Sequence, residues 1–82
     1  MSAFERVKAV TEKELRVPSE KITMEARLKE DLKFDSLDMV SLISALEDEF
    51  EKELGGKEID DKEVRNIGTI GEIVTYLEKQ QG

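Results

Sequence analysis

The stretch from Asp35 to Leu54 sets the tightest limit on the fold: its apolar residues return every three or four positions and neither proline nor glycine interrupts them. Such spacing is that of a helix, not a strand. At about 100° per residue, Met39, Leu42, Ile43, Leu46, Phe50 and Leu54 gather on one side, expected to be the buried side. Asp35 stands where an N-cap belongs and Gly55-Gly56 offers a left-handed stop, so the pattern predicts a helix from Ser36 to about Leu54.

Similar punctuation divides the rest of the chain. Ser2 with Glu5 forms a capping-box pattern ahead of Phe4, Val7, Thr11 and Leu15, with Val10 beside them, and Pro18 biases Val17 away from helical geometry and is expected to end that helix. Asp60 with Glu63 is expected to cap a short helix reaching Ile67. Thr69 with Glu72 opens a last one through Ile70, Ile73, Val74 and Leu77. The connection between Pro18 and Phe34 is long for a compact domain, and Ile22, Leu28 and Leu32 suggest that it packs down, with a helical turn near Thr23 to Ala26. The expectation is all-α: one domain over residues 1–82, a four-helix bundle with a long loop between helices 1 and 2 and a short third helix.

Composition narrows the chemistry. With no cysteine and no histidine, the chain lacks the usual zinc, haem and iron-sulfur ligand sets as well as any thiol of its own, so no metal site is expected. No apolar run approaches the ~20 residues of a membrane span and the first residues lack the apolar stretch of a secretory signal, which points to the cytoplasm or an equivalent reducing compartment. Residues 1–34 hold eight basic and seven acidic side chains, 35–63 three basic and eleven acidic, and 64–82 two of each, so the net charge of -7 arises in the middle segment. That segment disfavours nucleic acid and anionic lipid as partners and favours basic protein surfaces; a solvated acidic helix face would look the same.

Ser36 is the residue of most interest. It follows Asp35 at the head of the longest helix, in a chain without a histidine to serve as its base, so the serine reads as a group to be modified and not as a nucleophile with its own activation; an ordinary early-turn serine fits the position too. Leu37 and Val40 fall on or beside the polar face of that helix, ringed by Asp35, Asp38, Glu47 and Asp48. Together they resemble a docking anchor with charges that steer a basic partner, although a lone exposed leucine is commonplace. The paired carboxylates Asp35 and Asp38 could in principle serve as acid and base, but no metal-ligand set accompanies them.

Asp31-Leu32-Lys33-Phe34-Asp35-Ser36-Leu37-Asp38, with Ala45-Leu46-Glu47-Asp48-Glu49-Phe50 after it, Glu5-Arg6-Val7-Lys8 upstream and Ile67-Gly68-Thr69-Ile70 and Tyr76-Leu77 downstream, resembles the acyl carrier protein family over nearly the whole chain. The resemblance implies a carrier and not an enzyme. It implies that Ser36 receives 4'-phosphopantetheine from coenzyme A through a separate, magnesium-dependent phosphopantetheinyl transferase, and that the arm's thiol holds acyl groups as thioesters for enzymes of fatty acid or related lipid or polyketide biosynthesis. It further implies docking of a monomer through Asp35, Leu37, Asp38, Val40, Glu47 and Asp48 onto basic patches, and an acyl pocket lined by Val7, Leu32, Ile43, Leu46, Ile67 and Ile70. An aminoacyl carrier, peptidyl or D-alanyl, and an unmodified helical interaction subunit are the alternatives. Three features depart from the family pattern: Lys33-Phe34 in place of glycine and a small or apolar residue, Ser41 and Ser44 at positions often acidic and apolar, and a longer connection after Phe50. They point to a specialised carrier serving one pathway.

Overall fold

A computed structural model describes residues 2–81. It contains five α-helices, α1 (Ala3–Leu15), α2 (Ser36–Glu49), α3 (Glu51–Leu54), α4 (Asp61–Asn66) and α5 (Ile70–Gln81), with a 3-10 turn at Ser19–Lys21 between the first two. The fold is all-α and of the carrier type expected. Helices α1, α2 and α5 pack around Val7, Leu42, Leu46, Ile70, Ile73 and Leu77, and the connection between α1 and α2 adds Ile22, Leu28 and Phe34 to the same core. Thr11, wholly buried, donates its hydroxyl to the Val7 carbonyl at 2.8 Å, which satisfies that donor inside the core. None of the helices described is long and apolar enough to cross a membrane.

Local signals explain most boundaries. The Ser2 hydroxyl accepts the Glu5 N–H at 3.2 Å and the Glu5 carboxylate accepts the Ser2 N–H at 3.3 Å, closing the box at the head of α1. The Ser2 N–H holds the Glu5 carboxyl below its usual pKa. At the other end α1 stops at Leu15 because Arg16 turns left-handed, φ 53° and ψ 39°, two residues before Pro18 is reached. Thr69 caps α5 by accepting the Glu72 N–H at 3.1 Å, while Glu72 reaches one residue beyond the box, to the Gly68 N–H at 3.2 Å. At α4 only half of the expected cap forms: the Asp60 carboxylate accepts the Lys62 N–H at 2.8 Å, and the helix ends at Asn66 with Ile67 as its C-cap.

Two expectations need correction. The helix expected from Ser36 to Leu54 breaks at Phe50, whose φ of -105° and ψ of 25° leave the helical region. Arg6 supplies the cause. Its guanidinium lies 4.1 Å over the buried Phe50 ring, donates to the Glu49 carbonyl at 2.7 Å, and pairs with Glu49 at 2.9 Å and Glu53 at 2.7 Å. The Glu49 carbonyl, which a continuous helix would offer to residue 53, is thus drawn toward α1. The second correction concerns the loop: its helical turn lies at Ser19–Lys21, where Pro18 at φ -58° presets the first dihedral, and Thr23 to Ala26 forms a tight turn closed by the Ala26 N–H on the Thr23 carbonyl at 3.1 Å.

What the sequence did not foretell is where this loop goes. Its backbone docks on the start of α5: the Leu28 N–H donates to the Gly68 carbonyl at 3.0 Å, Ile70 to Ala26 at 3.0 Å, and Gly71 to Met24 at 2.8 Å, with Arg27 and Thr69 paired as an antiparallel bridge. Gly71 permits the approach. A Cβ there would lie 2.8 Å from the Met24 carbonyl oxygen.

Gly71→Ala is therefore expected to destabilise by about 1 kcal/mol in urea unfolding, since the ~1–3 kcal/mol cost of forcing backbone apart exceeds what alanine gains in a helix. Arg6→Ala should lower the melting temperature by about 5–10 °C. The Arg6 hydrogen bond is the leading cause that holds the Glu53 carboxyl below its ordinary 4.5. A depressed carboxylate stabilises the fold fully above its unfolded pKa and loses that contribution as pH falls through its folded one. The gap between wild type and Arg6→Ala should accordingly stay constant above neutral pH and narrow once pH drops below 4.5.

Candidate functional site

Ser36 is the first residue of α2, and the chain is brought to it by two constraints. Phe34 is buried and its N–H donates to the Leu28 carbonyl at 2.9 Å, which fixes the backbone just ahead of the helix. Asp35 then caps: its carboxylate accepts the Asp38 N–H at 2.8 Å, and the Asp38 carboxylate accepts the Asp35 N–H at 3.1 Å. This is a capping box built from two aspartates, with Phe34 and Met39 at the positions of a hydrophobic staple and both turned to the core. Sequence reading found Asp35 as the cap. It missed Asp38 because the usual box has Glu or Gln there.

Between those anchors the Ser36 side chain is exposed, and among the described residues no hydrogen bond engages its hydroxyl. The first-turn N–H groups of this 14-residue helix have no intrahelical acceptor and favour a phosphate, while the Asp35 and Asp38 carboxylates oppose one from either side of the serine. Directly beside it Lys33 adopts φ 58°, a left-handed conformation that costs a side-chain-bearing residue.

The expected docking residues divide. Leu37 is 77% exposed and Val40 67%, unusually high for large apolar side chains, and Ser41, Ser44 and Asp48 face water on the same helix. Glu47 is half-buried and does local work: its carboxylate accepts the Ile59 N–H at 2.8 Å and ties the connection before α4 onto α2. Asp38 is half-buried within the capping box, and Asp35, though exposed, is held there too. The expected pocket residues divide as well. Val7, Leu46 and Ile70 lie wholly inside the core, Leu32, Ile43 and Ile67 are half-buried, and Leu32 and Ile67 line two separate openings of about 390 and 380 Å³.

The family model for the phosphopantetheine attachment site matches residues 5–77, and a curated acyl carrier protein of Thermotoga maritima is 40% identical over 79 residues, 96% of this chain and 91% of that one. The chain belongs to the acyl carrier protein family. An acyl carrier protein is a carrier and not an enzyme, and it bears 4'-phosphopantetheine bound covalently. The group supplies the thiol that the chain's own composition lacks. The geometry fits such a group: attachment by phosphodiester needs an accessible hydroxyl that no neighbour occupies, and Ser36 has one within the matched span.

Lys33→Gly, which relieves the left-handed strain, is expected to stabilise this carrier by about 1 kcal/mol, read as a raised urea midpoint with an unchanged slope.

Proposed function

We propose that Ser36 is the attachment point, and that the chain shuttles acyl groups as thioesters on its arm to enzymes of fatty acid or related lipid or polyketide biosynthesis. The observation that supports this best is the free Ser36 hydroxyl at a capped helix head, with neither histidine nor cysteine in the chain to give it chemistry of its own. Activation of the serine then falls to the transferase. Leu37 and Val40 serve as apolar anchors and Asp35, Asp38 and Asp48 steer basic partner surfaces, with Glu47 acting mainly as a brace. Val7, Leu46 and Ile70 form the deep wall that an acyl chain would meet, with Leu32, Ile43 and Ile67 nearer the surface.

Among the described residues, the large apolar side chains that stand exposed are Met24, Leu37 and Val40, too little surface for a stable dimer, which supports a monomer with transient partners. A free thiol on the arm persists in a reducing compartment, and the cytoplasm is the setting we assign.

Incubation of the apo chain with coenzyme A, magnesium and a broad-specificity phosphopantetheinyl transferase should add one arm, seen by intact mass and lost in Ser36→Ala with the helical spectrum preserved. Absence of the mass gain, alongside a control carrier that is modified, would instead favour an interaction subunit. Leu37→Ala should reduce kcat/KM for the transferase by about tenfold, equivalent to ~1.4 kcal/mol of docking energy.

A further inference from the structure

An opening of about 390 Å³ lies between the end of α1 and the head of α2. Arg16, Lys21 and Lys33 line it, in a protein whose net charge is -7. Arg16 at φ 53° and Lys33 at φ 58° are the two non-glycine residues with positive φ among those described, and both stand here, one at the end of α1 and the other just ahead of α2. Glycine would adopt either conformation at lower cost, so cations held in strained backbone point to a use for their charge. None of the three has an ion-pair partner among the described residues, as holds for most basic side chains of this protein.

The cleft also holds two acids, each hydrogen-bonded to backbone, so three cations stand against two carboxylates. Asp31 accepts the Arg27 N–H at 2.8 Å, the main cause that keeps its carboxyl below the ordinary range, and Asp38 belongs to the capping box. The remaining wall is apolar, formed by Leu15, Val17, Leu32 and Phe34. A ligand suited to it is an aliphatic chain that ends in an anion. Asp38, two residues from Ser36, lines the rim, so a chain tethered at Ser36 has direct access.

We propose that this cleft receives the carboxylate end of a dicarboxylic acyl group held on the protein's own arm, and so selects cargo by its terminal charge. The proposal rests on acyl carriage from Ser36. An uncharged acyl chain has no reason to prefer the cleft over the core at Val7, Leu46 and Ile70.

The test loads the full chain from coenzyme A, hexanoyl-coenzyme A and adipoyl-coenzyme A, and follows methyl and amide resonances. With adipoyl, the methyls of Leu15, Val17 and Leu32 and the amides of Arg16 and Lys33 should shift; with hexanoyl the changes should move to Val7, Leu46 and Ile70. Added salt should shrink the adipoyl response. Arg16→Gly with Lys33→Gly removes two cations while relieving strain, so the variant should remain folded and lose that response, and Lys21→Gln should weaken it. Equal shifts at the cleft from hexanoyl, or the full shift from the arm alone, whose phosphodiester would then be the occupant, overturn the proposal. Failure of any loading removes carriage from Ser36 and the proposal together.

Discussion

Everything near Ser36 depends on a line of backbone hydrogen bonds that runs across the molecule. The Gly68 carbonyl holds the Leu28 N–H, the Leu28 carbonyl holds the Phe34 N–H, and the next residue is the Asp35 cap of α2. The head of α2 is thereby registered against the head of α5, although 33 residues separate Asp35 from Gly68 in the chain. A long connection without regular structure normally leaves its polar backbone to water. Here three bonds to residues 68–71 satisfy it while Ile22, Ala26 and Leu28 enter the core.

Sequence signals that act within a turn were readable, and those that act across the fold were not. Ser2 with Glu5, Asp35, and Thr69 with Glu72 each mark a helix start through contacts three residues apart, so the pattern contains the whole interaction. The break at Phe50 arises from Arg6, more than forty residues away, and nothing in the run from Ser36 to Leu54 hints at it. Gly71 drew no notice in the sequence, because its close contact, the Met24 carbonyl, comes from a distant loop. At the site, Leu37 and Val40 followed from helical projection, and Ser36 from its place after the Asp35 cap and from the family resemblance. The half-buried bracing role of Glu47 did not, because Ile59 approaches it through a connection whose path the sequence leaves open.

Charge is distributed around Ser36 in two unlike sectors. Along α2 lie the exposed Leu37, Val40 and Asp48; around the opening between α1 and α2 lie Arg16, Lys21 and Lys33, together with Asp31 and Asp38. The departure at residues 33 and 34 contributes to both fold and charge. Phe34 fills core that a small residue would leave to its neighbours, and Lys33 accepts backbone strain three residues ahead of Ser36.

Helix α2 is pinned at both extremities, by the paired aspartates at its start and by Arg6 on the Glu49 carbonyl at its finish, over a span of about 21 Å. A rod seated in two sockets behaves as a strut. A load on Leu37 or Val40 is handed through Arg6 to α1 and through Phe34 to the loop, so the helix has no loose tip from which to unravel.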